Sequence, residues 1–73
     1  MFSVYDHQCH RYMETGLNSK TKEEAIEAMK GYLSIDHSEK ELKDIEKEFR
    51  GLEGYLNWIE FEIEKHDEEI ETE

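Results

Sequence analysis

The chain has 73 residues, enough for one small domain, and carries 20 acids against 9 Lys and Arg, a net charge of -11. That sign excludes a general electrostatic hold on DNA, RNA or an anionic membrane; the attraction it sets up is toward basic surfaces, which nucleic-acid-binding proteins chiefly present. The apolar residues are periodic and include eight aromatics, which excludes disorder over most of the chain.

Residues 2 to 6 alternate, with Phe2 and Val4 to one side and Ser3 and Tyr5 to the other, and predict a short strand. No basic lead or long apolar run marks Met1 to Asp6 as a signal peptide. Asp6 to His10 reads as a polar turn, and Arg11 to Thr15 alternates again as a second strand that Gly16 and Asn18 end. The hairpin spans residues 2–16 and needs a helix on one face, since two short strands are marginal alone. His7, Cys9 and His10 gather in the turn beside Asp6, with His37 as a conceivable fourth metal donor. The set lacks the paired spacing of a structural metal site, so no metal, cofactor or catalytic residue is expected. A single cysteine fits a reducing compartment.

Thr21 and Glu24 fit a capping box that opens a first helix over 22–33, with Ala25, Ile26, Met29 and Leu33 on its apolar stripe and Tyr32 at the edge. Ser34 to His37 reads as a linker. Ser38 and Glu41 form a second capping box, and the second helix is expected to run over 39–67. Gly51 and Gly54 weaken it by about 1 kcal/mol each relative to alanine. A break there into a helical hairpin is the competing reading; the unbroken phase of the apolar positions favours one long helix. The acids of residues 68–73 crowd the negative pole of the helix dipole and predict a frayed tail. The expected architecture is therefore α+β in the order ββαα: a short N-terminal hairpin, a short helix and a long, coiled-coil-like C-terminal helix.

The apolar positions behind that last expectation are Leu42, Ile45, Phe49, Leu52, Leu56, Ile59 and Ile63, followed by His66 and Ile70. Their steps alternate three and four, as in the a/d seam of a coiled coil. Eight of the nine flanking e and g residues are acidic, so the seam is apolar while its rims repel a copy. His66, at a d position, reads as a tolerated polar residue near the helix end. Residues 39–50 carry a net charge of -1 and residues 51–73 a net charge of -8. A homodimer through the seam would accordingly be antiparallel. A helix of this length spans about 45 Å and the first helix about 18 Å, so part of the seam is expected to need another surface.

The other use of the helix is a basic partner. Glu60, Glu64 and Glu68 stand at four-residue steps, about 6 Å apart along a helix, a spacing close to that of phosphates along a nucleic-acid strand. Tyr55, Trp58 and Phe61 lie beside them, and aromatics on a nominally exposed face are frequent anchors of protein contacts. The expected partner-binding residues are Tyr55, Trp58, Phe61, Glu60, Glu64, Asp67 and Glu68. The plain alternative is a solvated acidic face that gives only solubility.

Val4-Tyr5-Asp6, the run Arg11 to Gly16 and the run Thr21 to Ala28 resemble small proteins of phages and mobile elements in Gram-positive bacteria. The likeness covers about residues 2–33 and brings no catalytic residue with it. Such proteins include anti-CRISPR and other counter-defence inhibitors, several of which fill a nucleic-acid site on a host enzyme. The resemblance implies a non-catalytic inhibitor in the host cytoplasm. Its target would be a basic nucleic-acid-binding protein, such as a CRISPR effector, a restriction enzyme or a DNA-repair enzyme. The alternative is a structural or adaptor protein that homo-oligomerises through the seam.

Overall fold

The computed structural model describes residues 1–71, which form β1 (Phe2–Asp6), β2 (Arg11–Tyr12), α1 (Lys22–Leu33), α2 (Glu39–Glu48), α3 (Leu52–Trp58) and β3 (Phe61–Lys65). The ββαα expectation with one long helix is therefore wrong, and the order is ββαααβ. The strands make one antiparallel sheet in the order β2-β1-β3, which puts the first strand at the centre and the last at an edge. Register runs from Phe2↔Lys65 to Asp6↔Phe61 on one side and through Tyr5↔Tyr12 and Asp6↔Arg11 on the other. β2 is shorter than the expected 11–15 strand. Just past it Met13 N–H still donates to the Val4 carbonyl at 2.8 Å; the chain then loops out, and Ser19 returns to exchange two backbone hydrogen bonds with Phe2, each 2.8 Å.

Two reversals dismantle the long helix. α2 ends at Phe49, and Arg50 takes a left-handed φ of 56°. Gly51 N–H then donates back to the Glu46 carbonyl over 2.7 Å, the six-to-one bond that closes a Schellman C-cap. Gly51 itself sits at φ 125°, a conformation that side chains rarely allow. At Gly54 the need is for space, because a Cβ there would stand 2.6 Å from the Phe49 carbonyl oxygen. The two glycines that weaken a continuous helix are thus what the bend requires. A second left-handed residue, Glu60 at φ 69°, ends the turn after α3 and starts β3.

The helix starts follow their caps. The Thr21 hydroxyl accepts from Glu24 N–H at 3.1 Å, while Glu24 reaches back to Lys20 N–H rather than to Thr21. Ser38 and Glu41 form a complete reciprocal box. Exposed ion pairs join α1 to the two later helices, Lys30 to Glu46 at 3.3 Å and Lys22 to Glu53 at 2.6 Å. Pairs of this exposure are worth at most about 1 kcal/mol each.

The core consists of Val4, Ala25, Met29, Leu33, Leu42, Leu52 and Leu56, with Phe2, Ile45, Ile59, Phe61 and Ile63 packed around it. The predicted seam therefore closes inside the chain. Leu42, Leu52 and Leu56 are buried, Ile45, Ile59 and Ile63 are half-buried against them, and no continuous helical stripe is left for a dimer. The bend at Arg50 and Gly51 folds α3 back on α1 and β3, so one molecule supplies the surface that a second copy was expected to provide.

The end of the described chain is a strap, not a helical turn. His66 exchanges backbone hydrogen bonds of 2.8 Å and 2.9 Å with Met1. Asn18, left-handed at φ 54°, clasps Ile70 from both sides: its amide donates to the Ile70 carbonyl and its oxygen accepts Ile70 N–H, each at 2.8 Å. Of the tail expected to fray, Thr72 and Glu73 lie outside the described residues.

The bend reverses the sign of a simple substitution. In a continuous helix Gly54→Ala would stabilise by about 1 kcal/mol. Here it forces a Cβ into a backbone carbonyl and should destabilise by about 1–3 kcal/mol, read as a lower urea midpoint with unchanged slope.

Candidate partner interface

Two surfaces stand out from the fold. The first is an aromatic ledge where α2 meets α3. Phe49 closes α2 and lies edge-on to Tyr55, with ring centroids 5.3 Å apart, and 5.7 Å from Trp58. Tyr55 and Trp58 are near-parallel at 6.2 Å, and the His37 ring meets Tyr55 edge-on at 6.4 Å. The bend builds this cluster by bringing Phe49 against residues of the next helix. Trp58 is 70% exposed despite its two aromatic neighbours, Phe49 and Tyr55. A large rigid side chain held in one place yet open to solvent suits a contact anchor, because little freedom remains to be lost on binding.

The second surface is the sheet face turned away from the helices. Tyr5 forms edge contacts with His7 at 4.8 Å and Tyr12 at 5.0 Å. The Tyr12 hydroxyl donates to Glu64 at 2.8 Å, and His7 Nε2 meets Glu62 at 3.1 Å. The Glu64 carboxylate raises the Tyr12 phenol above its ordinary range, first by accepting its proton in a hydrogen bond and then, after the effect of burial, by its charge. Neither Glu62 nor Glu64 pairs with a Lys or Arg among the described residues, so this face is negative.

At one end of that face Ser3 is wholly buried and hydrogen-bonds His66 Nε2 at 2.7 Å. His66 Nδ1 faces the Glu68 carbonyl at 2.6 Å and so carries the proton. Nε2 then accepts from the Ser3 hydroxyl, which in turn accepts Asn18 N–H at 2.9 Å. The pair has the distance of a nucleophile and its base. With Ser3 0% exposed, however, its oxygen is closed to a substrate, and the network serves to hold the strap on β1. His66 is thus a clip between the two ends of the chain and not a seam position.

The hairpin turn is organised by Asp6. Its carboxylate accepts Gln8 N–H at 2.9 Å and Cys9 N–H at 3.3 Å, a side chain standing in for a turn carbonyl. Burial opposes the charged carboxyl, but hydrogen bonds from Cys9 and Gln8 and the nearby Arg11 charge outweigh it and hold Asp6 below its ordinary range. The same carboxylate pushes the exposed Cys9 thiol up, first by hydrogen bonding and then by charge, which keeps it protonated. His37 does not join this turn: its contacts are Glu41 at 3.3 Å and Tyr55. No cluster of three metal-ligating side chains occurs among the described residues.

The expected partner-binding residues are dispersed over these features. Tyr55 and Trp58 share the ledge, while Phe61 points to the core side of β3 and packs at the core's rim. Glu60 lies in the turn, Glu64 on the sheet, and Asp67 and Glu68 in the strap. Glu60, Glu64 and Glu68 therefore share no helical face, and four residues of strand span about 13 Å rather than 6 Å. The phosphate-like spacing is lost. Sequence reasoning missed Glu62, His7, Tyr5 and Tyr12 as one surface. The signal that reveals them is the strict alternation of Phe61-Glu62-Ile63-Glu64, a two-residue period overlaid on the helical one.

The chain matches no family model, and no curated protein or solved structure matches it significantly. No helix among the described residues is long and apolar enough to cross a membrane.

The Asp6 turn carries a pH dependence of definite sign. Its folded value lies below its unfolded one, so its contribution is complete above the unfolded value and lost as pH falls through the folded value. Asp6→Asn should flatten the fall in stability as pH drops below the ordinary aspartate range, measured as urea midpoint against pH.

Proposed function

We propose that the chain is a non-catalytic, acidic, protein-binding inhibitor acting in the cytoplasm on a basic nucleic-acid-binding protein. This is the mode of the counter-defence proteins its N-terminal half resembles, with a CRISPR effector or another host enzyme on nucleic acid as target. The observation that carries the reading is Trp58, 70% exposed and braced by Phe49 and Tyr55 in a molecule of net charge -11. An exposed aromatic anchor supplies contact energy, and the acidic sheet face and strap supply attraction toward a basic surface and rejection of acidic ones. Mimicry of phosphate spacing by a helix is no longer part of the mechanism. What supports the reading is charge sign together with a pre-built aromatic anchor.

The test is capture from a host lysate at low and high salt, followed by binding measurements on the captured protein. Trp58→Ala should weaken binding by about 2 kcal/mol, roughly thirtyfold. Glu60→Lys, Glu64→Lys and Glu68→Lys combined should abolish capture at low salt while circular dichroism shows the fold intact. Because Trp58 is the single tryptophan, its fluorescence should also change on binding. A partner captured equally well by both variants would remove this function.

A further inference from the structure

β3 has a strand on one side only. Met1↔His66 is a hydrogen-bonded pair, and His7 N–H donates to the Glu60 carbonyl at 3.0 Å. Antiparallel pairs alternate, so Glu62 and Glu64 also turn their backbone groups to β1. The N–H and C=O of Phe61, Ile63 and Lys65 then point outward, and no strand, helix or loop among the described residues bonds to them. Exposed edges are normally blunted by a proline, a bulge or extreme shortness. β3 has none of these: it runs five residues in unbroken register with β1, and the chain contains no proline.

Its one guard is charge. A second copy added antiparallel about Ile63 would set Glu62 against Glu64 twice, and like charges directly opposite destabilise a sheet. The same geometry favours the opposite sign. Positions across from Glu62 and Glu64 form the non-hydrogen-bonded pairs, where Cα atoms approach to about 4.5 Å. Both carboxylates keep spare acceptor capacity, since His7 and Tyr12 each engage one oxygen. On the other face the half-buried Phe61 and Ile63 offer apolar contact to the alternate residues of an added strand.

We propose that the free edge of β3 is a docking site for an extended segment of a partner protein that carries Lys or Arg at every second position with apolar residues between. The added strand pairs with the backbone of Phe61, Ile63 and Lys65, sets its bases over Glu62 and Glu64, and lays its apolar side chains along Phe61 and Ile63. This deepens the reading of the chain as a binder of basic proteins and rests on it: it assigns how such a partner attaches.

The probe is a capped heptapeptide of alternating lysine and valine, titrated into the intact protein at low salt. Amide exchange at Phe61, Ile63 and Lys65 should slow by at least about tenfold, with little change at Glu62 and Glu64, which are already paired. N-methylation at the valines, whose amides face β3, should abolish binding. N-methylation at the lysines should leave it intact, and a glutamate–valine peptide should not bind. Lys65→Pro, which removes an outward donor at an exposed position, should weaken binding about tenfold. The peptide's failure to bind, its binding without slowed exchange at those three amides, or its indifference to valine N-methylation would each overturn the proposal. So would slowed exchange that tracks protein concentration without peptide, which assigns the edge to a second copy. Capture of a basic protein that depends on Trp58 while the edge amides stay unmoved would discard the edge site and leave the broader reading standing.

Discussion

β3 reaches β1 because the chain reverses twice after α2, and the five pairs from Phe2↔Lys65 to Asp6↔Phe61 then join residues from opposite ends of the sequence. Without that pairing β1 and β2 are a two-stranded hairpin with a two-residue second strand, which does not hold itself together in water. With it, Val4 becomes fully buried, α3 gains a floor, and the strap is brought to Ser3 and Asn18. Closing a loop of nearly the whole chain costs conformational entropy. The clasp by Asn18, the Met1–His66 pair and the leucines of α2 and α3 offset that cost at the place where the ends meet.

The bend that permits this closure also creates the exposed chemistry. Phe49 would lie far along a straight helix from Trp58, nine positions away and about 13 Å along the axis. The Schellman turn at Arg50 and Gly51 brings the two rings to 5.7 Å and leaves Trp58 outward. Strand geometry likewise takes Glu62 and Glu64 off a helix and sets them as carboxylates on one sheet face, beside the tyrosines and His7 of the hairpin. An apolar run that would have faced a second copy becomes internal. The charge that would have lined its rims is left outside, facing solvent.

Some of this was legible in the chain itself. The caps at Thr21 and Ser38 are local, so the starts of α1 and α2 follow from residues three apart. The apolar stripe of Ala25, Met29 and Leu33 likewise names its own buried face. The second half was misread because two periods coincide there: Ile59 and Ile63 satisfy a helical step of four, and Phe61 and Ile63 satisfy a strand step of two. Leu42, Leu52 and Leu56 are apolar core in either reading, which is why the buried residues were largely right while the element was wrong. The site suffered more, since a surface defined by neighbours changes entirely when a helix becomes a strand.

The sequence by itself determined the sign of the charge, the positions that must be buried and the first turns of two helices, because each depends on composition or on residues a few positions apart. The tertiary structure alone decided where the helix stops and what its remainder becomes. Arg50 and Glu60 take left-handed conformations that their side chains do not favour. They hold them because bending returns Leu52 and Leu56 to the core and gives β1 a second neighbour. That gain lies in contacts between distant parts of the chain, and no window of sequence contains both sides of them.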